Sequence, residues 1–195
     1  RYRALVRRVQ DAEAKKAHGR GGLAEAVARS YAKLLAYKDE YEVARLYTRT
    51  DFRRKLEAAF EGGYRIRVHL APPLLAKRDP ATGRLRKRAY GPWMLRAFAL
   101  LARLKRLRGT PFDVFGHQRH RRLERRLIRD YEQRIRELLA ALDHDNHPIA
   151  VEIASLPEKV RGFEHIKEAN LQKARAREEQ LLAAFRNPAT AQAAE

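Results

Sequence analysis

The residue types best suited to chemistry here are basic, and they cluster on both sides of a predicted turn. Asp79 and Pro80, with Gly83 three residues further on, are typical of a turn, because Pro fixes φ and Gly accepts positive φ. Cations precede and follow this turn: Lys77, Arg78, Arg86, Lys87 and Arg88. Ammonium and guanidinium groups bind phosphates and carboxylates, so the cluster predicts contacts with an anionic ligand or an acidic partner.

Other arrangements that carry chemistry are missing from the sequence. The motifs GxSxG, HExxH and GxGxxG do not occur, and there is no cysteine, which excludes disulfides, iron–sulfur ligation and Cys-type zinc sites. The run DHDNHP (143–148) has metal-ligand residue types, but it is crowded on a turn before a proline and lacks a second ligand group. It therefore predicts a polar loop between helices. We expect neither catalytic residues nor a metal site in this chain.

The charge balance points to anionic partners. The 43 basic and 24 acidic residues give a net charge of +19, which suits nucleic acid, an anionic phosphate ligand, an acidic partner domain, an anionic membrane or only a basic soluble surface. A long helix predicted over 117–142 carries a basic arc at helical spacing, formed by Arg121, Arg125, Arg129 and Arg136. Interleaved acidic residues favour pairing along the helix instead. The longest apolar run, 97–102, is far too short to span a membrane, so no membrane partner is expected.

Hydrophobic periodicity predicts the elements that position these residues. The pattern indicates a mainly α fold, a bundle-like domain of about seven or eight helices with a small inserted β-hairpin. We expect this single domain over 1–186, the hairpin around 64–90 and a frayed tail over 187–195. Alternation over 64–70 is typical of a half-buried strand, and 84–88 would form the return arm.

Capping residues predict where several helices begin. Asp39 and Thr50 are expected N-caps of the third and fourth helices. Residues 155–158 (SLPE) fit a capping box with Pro in the first turn, which predicts a new helix after a short one over 149–156. A strongly apolar helix is expected to open near Trp93.

Six segments, in order, resemble the C-terminal domain of indolepyruvate ferredoxin oxidoreductases, which belong to the 2-oxoacid:ferredoxin oxidoreductase family. They are YKDEYEVARLY (37–47), HLAPPLLAKRDPATGR (69–84), YGPWM (90–94), LRGTPFDVFG (107–116), ERRLIRDYE (124–132) and SLPEKVRGFEHIK (155–167). The resemblance extends over residues 24–185.

The resemblance implies a parent enzyme that decarboxylates arylpyruvates oxidatively to acyl-CoA. Such an enzyme would use thiamine diphosphate and iron–sulfur clusters and would pass electrons to ferredoxin. The thiamine diphosphate motif, a GDG followed by an Asn, has no counterpart in this chain. The resemblance therefore implies a non-catalytic accessory domain with no cofactor of its own. The absence of cysteine is compatible with a cytoplasmic protein, which is the location we expect.

The expected partners are the catalytic domains of the same polypeptide, with CoA or ferredoxin as further candidates. Lys77, Arg78, Arg86, Lys87 and Arg88 would contact CoA phosphates or an acidic surface. Because the chain begins at Arg1 and not at Met, we expect a fragment or a processed product. A basic helical module that binds nucleic acid is the alternative.

Overall fold

The computed structural model of the protein describes residues 1–71, 86–162 and 164–187. Within these residues the chain forms eight α-helices and one two-stranded sheet, which confirms the mainly α prediction with a small hairpin. The elements are α1 (Tyr2–Lys16), α2 (Leu23–Leu35), α3 (Glu40–Thr48), α4 (Phe52–Ala59), β1 (Val68–Leu70), β2 (Arg88–Tyr90), α5 (Met94–Arg103), α6 (Arg119–Ala141), α7 (His147–Lys159) and α8 (Glu164–Arg186). A 3-10 helix, Leu104–Leu107, follows α5 directly.

The chain divides into two compact units. Unit 1 comprises Arg1–Tyr37 and Arg122–Glu195, and unit 2 comprises Lys38–Arg121. The hairpin belongs to unit 2. That residues 1–186 form one domain stays a prediction, and the expected tail, from residue 188 onward, lies outside the described residues.

Unit 1 has a continuous apolar core. Helix α2 packs against α1 and α7, and α7 packs against α8. The helices bury their periodic apolar faces in a common cluster, which includes Val9, Val27, Ile135, Leu138 and Ile153. Burial of such faces is the main source of helix stability in proteins.

Unit 2 has a small core in which α3 packs against α5. Ala44, Val68, Met94, Phe98 and Ala102 are its buried apolar residues. The two strands are antiparallel and pair three residues each: Val68 with Tyr90, His69 with Ala89, and Leu70 with Arg88. The ladder is thus shorter than the strand predicted over 64–70, although Ile66, Val68 and Leu70 alternate in burial with exposed neighbours, as expected. The return arm predicted over 84–88 is wrong in position: β2 begins only at Arg88, and residues 84 and 85 lie outside the described residues.

Two predicted helix starts are wrong. Thr50 does not cap α4; its hydroxyl donates to the Leu46 carbonyl, and Asp51 occupies the N-cap position. Residues 155–158 do not open a new helix, because α7 continues through Pro157 to Lys159. The Ser155 hydroxyl donates to the Val151 carbonyl four residues earlier, the bond typical of a serine inside a helix.

Candidate functional site

The hairpin in unit 2 carries three of the five predicted anion-binding cations. Arg86, Lys87 and Arg88 are exposed, and Arg88 is the first residue of β2. Lys77 and Arg78 lie outside the described residues. The ring of Tyr90, at the end of β2, makes a T-shaped contact with the ring of Trp93, with centroids 6.0 Å apart. The expected contacts of these cations with phosphates or carboxylates stay a prediction.

The first turn of α3 holds three carboxylates that organise the cations around them. Asp39 is the predicted N-cap: its carboxylate accepts from the Glu42 amide at 2.8 Å and pairs with Arg108 at 2.7 Å. Glu40 pairs with Arg121 at 3.1 Å. Acidic side chains at a helix N-terminus also interact favourably with the helix dipole. This turn therefore anchors basic side chains that are distant in sequence.

Glu42 joins α3 to the segment after α5. Its carboxylate pairs with Arg45 at 2.6 Å and with Lys105 at 2.7 Å. Hydrogen bonds from Arg45 and then Lys105, acting against partial burial, lower the pKa of Glu42 to about 2. The carboxylate is therefore ionised at neutral pH, and it fixes the position of the Lys105 ammonium group.

A further carboxylate, Asp113, shapes the loop that follows Gly109. It accepts from the amides of Gly109 at 2.8 Å and Gly116 at 2.9 Å, and from the Tyr41 hydroxyl at 3.2 Å. Burial, together with the negative charge of Asp113, raises the pKa of Tyr41 to about 12. The loop leaves Phe112 74% exposed. In the sequence, residues 107–116 contributed only to the family resemblance, and no role was assigned to Asp113.

A cleft of about 410 Å³ opens where α3 and α5 end. Arg49 follows α3, Arg103 ends α5, and Lys105 and Arg106 belong to the 3-10 helix, while Ala102 provides the remaining lining. Ala102 is buried. Sequence reasoning assigned no site to these four cations, because periodicity does not reveal that two helix ends lie side by side.

Helix α5, together with Trp93 before it and Leu104 after it, also has an exposed apolar face. Trp93 is 58% exposed, Leu100 60% and Leu104 41%. They are spaced seven and four residues apart, so they lie on one side of the helix. Arg96 and Arg103 each follow one of these residues by three positions and therefore flank the face. Exposed large side chains grouped in this way are typical of interaction surfaces.

Unit 1 contains a buried acid–histidine pair that sequence reasoning missed. Glu13 accepts from His147 Nε2 at 2.8 Å, from the Leu23 amide at 2.7 Å and from the Ala24 amide at 3.0 Å. Since Gly22 at the N-cap of α2 has no side chain, the Glu13 carboxylate takes over the capping role. Burial raises the pKa of Glu13, but the bonds from His147 and the two amides outweigh it, and the pKa is lowered.

The polar residues before α7 form a hydrogen-bonded loop. The Asp143 carboxylate accepts from the amides of Asp145 at 2.9 Å and Asn146 at 2.8 Å, and the Asn146 side chain donates to the Ala141 carbonyl. Across the part of the chain that the structure describes, no group of three His, Cys, Asp or Glu residues could hold a metal ion. Nor does any helix there have the length and apolar character needed to cross a membrane.

The predicted basic arc of α6 is partly used within the chain. Arg121 donates to the Glu40 carboxylate and to the Lys38 carbonyl, and Arg136 donates to the Gln133 side chain. Arg129 is exposed. The arc therefore offers fewer free guanidinium groups than its spacing suggests.

Residues 1–180 match the model of a protein family described as "Family of unknown function (DUF6537)". The chain belongs to this family. No curated protein and no solved structure matches it.

Proposed function

We propose that this chain is a non-catalytic accessory domain of a cytoplasmic oxidoreductase that resembles indolepyruvate ferredoxin oxidoreductases, and that unit 2 docks it on the catalytic domains. The resemblance, in six ordered segments, supports the parent enzyme. The exposed face of α5 is the single observation that carries the docking role.

The chemistry of the α5 face defines the surface that would cover it. Trp93, Leu100 and Leu104 offer apolar area, and Trp is among the residues most often found at the energetic centre of interfaces. Arg96 and Arg103 lie beside that area, within a chain of net charge +19. A partner surface with apolar side chains bordered by carboxylates would match both features. The catalytic domains are therefore expected to present such a surface.

The exposed hairpin cations extend this proposal to CoA. Arg86, Lys87 and Arg88 are consecutive and accessible, as contacts with CoA phosphates would require. Titration of the chain with CoA is expected to move the amide resonances of these three residues, and to move them less with dephospho-CoA. Unchanged resonances would remove CoA from the proposal and leave protein docking as the only role.

The docking role is tested by expressing this chain and the catalytic domains as separate polypeptides and measuring their affinity. Leu100→Asp places a carboxylate in the centre of the face and is expected to weaken association by roughly tenfold or more, as hot-spot substitutions do. Phe112→Asp is the matched control, because Phe112 is also an exposed apolar residue of unit 2 but lies outside the face. Equal affinity of the two variants would contradict docking through α5.

Nucleic acid remains the alternative partner because of the net charge and the exposed part of the α6 arc, including Arg129. Filter binding of duplex and single strands separates the two roles. Retention that falls steeply with salt would favour the alternative. Since Arg121 is already bonded to Glu40, we expect no retention above that of an unrelated basic protein.

A further inference from the structure

We propose that the cleft lined by Arg49, Arg103, Lys105 and Arg106 binds a diphosphate group. Four cations converge there from the ends of two helices and the 3-10 helix, around the buried Ala102. A volume of about 410 Å³ is within the range of small-molecule sites and is large enough for two linked phosphates. This inference does not rest on the parent enzyme or on docking through α5.

The charges of the cleft favour a multivalent anion. Arg49, Arg103 and Arg106 make no ion pair with any described residue, whereas Lys105 is paired with Glu42 at 2.7 Å. The C-terminal ends of α3 and α5 oppose an anion, each with roughly half a negative charge. Three guanidinium charges exceed these two half charges, so roughly two positive charges remain for a ligand.

The side-chain chemistry favours phosphate over carboxylate. Guanidinium groups present paired N–H donors that match the oxygens of a phosphate, and three of them can engage two linked phosphates at once. A single carboxylate has too few oxygen atoms to accept from three such forks. A ligand bearing a diphosphate, such as a nucleoside diphosphate or the diphosphate arm of a cofactor, is therefore the class that the cleft fits.

The backbone that carries the cleft is fixed before a ligand arrives. The Arg49 amide donates to the Arg45 carbonyl at 2.8 Å, which holds the residue at the end of α3. Arg103 belongs to α5, which packs against α3 through the small core of unit 2. Glu42 orients Lys105 at the rim. A backbone that is already fixed reduces the entropy that binding would otherwise cost.

The test is a calorimetric titration of the chain with inorganic pyrophosphate at low salt. We expect saturable binding with one site, and a loss of roughly tenfold in affinity for Arg103→Gln and for Arg106→Gln, the effect of removing one charge-assisted hydrogen bond. Arg96→Gln is the matched control: it removes the same charge from α5 but does not line the cleft. Its affinity is expected to stay close to that of the unaltered chain.

Two outcomes would overturn the inference. Absence of measurable heat at low salt, at two temperatures so that an enthalpy near zero is not mistaken for missing affinity, would show that the cleft holds no diphosphate. An equal loss of affinity for Arg96→Gln and Arg103→Gln would show that pyrophosphate binding depends only on the net charge of the protein. Circular dichroism of each variant verifies that the helices are retained, so a loss of affinity cannot be mistaken for unfolding.

Discussion

The two units of this protein use their residues differently. Among the described residues, the apolar cluster of unit 1 has 18 buried members, whereas that of unit 2 has five. Unit 2 instead relies on carboxylates at the start of α3 and after Gly109, and it leaves Trp93, Leu100 and Phe112 exposed. Unit 1 thus buries its apolar residues in a large core, whereas unit 2 leaves apolar and basic side chains exposed.

This contrast explains why the candidate sites lie in unit 2. A surface that must recognise a partner needs accessible apolar and charged groups, and such groups add little to folding stability. In unit 1, by contrast, Glu13 and His147 form a buried pair, and the Glu13 carboxylate caps α2. Its role is structural, and it contributes no accessible surface.

The largest expected effect is on the core of unit 1. Leu138→Ala removes a side chain that is 1% exposed, and it should lower the free energy of unfolding by about 3 kcal/mol, because both burial and packing are lost. Leu100→Ala in unit 2 is the matched control and should change it by no more than about 0.5 kcal/mol. Urea unfolding followed by circular dichroism measures both. Similar losses for the two variants would abolish the contrast between buried and exposed leucines.

A smaller effect is expected at the buried acid of unit 1. Glu13→Gln replaces an oxygen that accepts from the Ala24 amide with an amide nitrogen, and it should cost about 2 kcal/mol. Because the pKa of Glu13 is lowered from its ordinary value of 4.5, its contribution is complete above that pH and is lost as pH falls through the folded pKa.

As pH falls below about 5, the range in which carboxylates titrate, Glu13→Gln should therefore lose less stability than the unaltered chain does. Glu25→Gln, at an exposed residue of α2 that pairs with Arg29, serves as the control. A control variant as costly as Glu13→Gln would show that burial of the carboxylate is unimportant.

The smallest expected effect is the difference between substitutions at the N-caps of α3 and α4, both in unit 2. Asp39→Ala removes the acceptor of the Glu42 amide and should cost about 1 kcal/mol, whereas Asp51→Ala should cost less, because Asp51 makes no capping bond. Fluorescence of Trp93, the one tryptophan of the chain, reports unfolding of unit 2. If Asp51→Ala lowered the free energy of unfolding more than Asp39→Ala, the carboxylates at the start of α3 would not be the main polar contribution to the stability of unit 2.

Prediction from sequence succeeded where local rules apply. The apolar stripes of the helices, the N-cap at Asp39 and the hairpin were all predicted, because periodicity and capping involve residues within a few positions of each other. The same rules also predicted helix starts at Thr50 and at residues 155–158, and both of these predictions were wrong. In both cases the hydroxyl donates to a carbonyl four residues earlier, a competing local bond that the sequence pattern does not distinguish.

By itself, the amino-acid sequence determined the helix content, the surplus of positive charge and the concentration of basic residues near the hairpin. Only the tertiary structure decided which charges are paired and which faces are covered. Glu13 and His147 are 134 positions apart, and Glu42 and Lys105 are 63 apart, so no local pattern links them. Ion pairing and burial depend on distance in space, and chain folding alone brings such residues together.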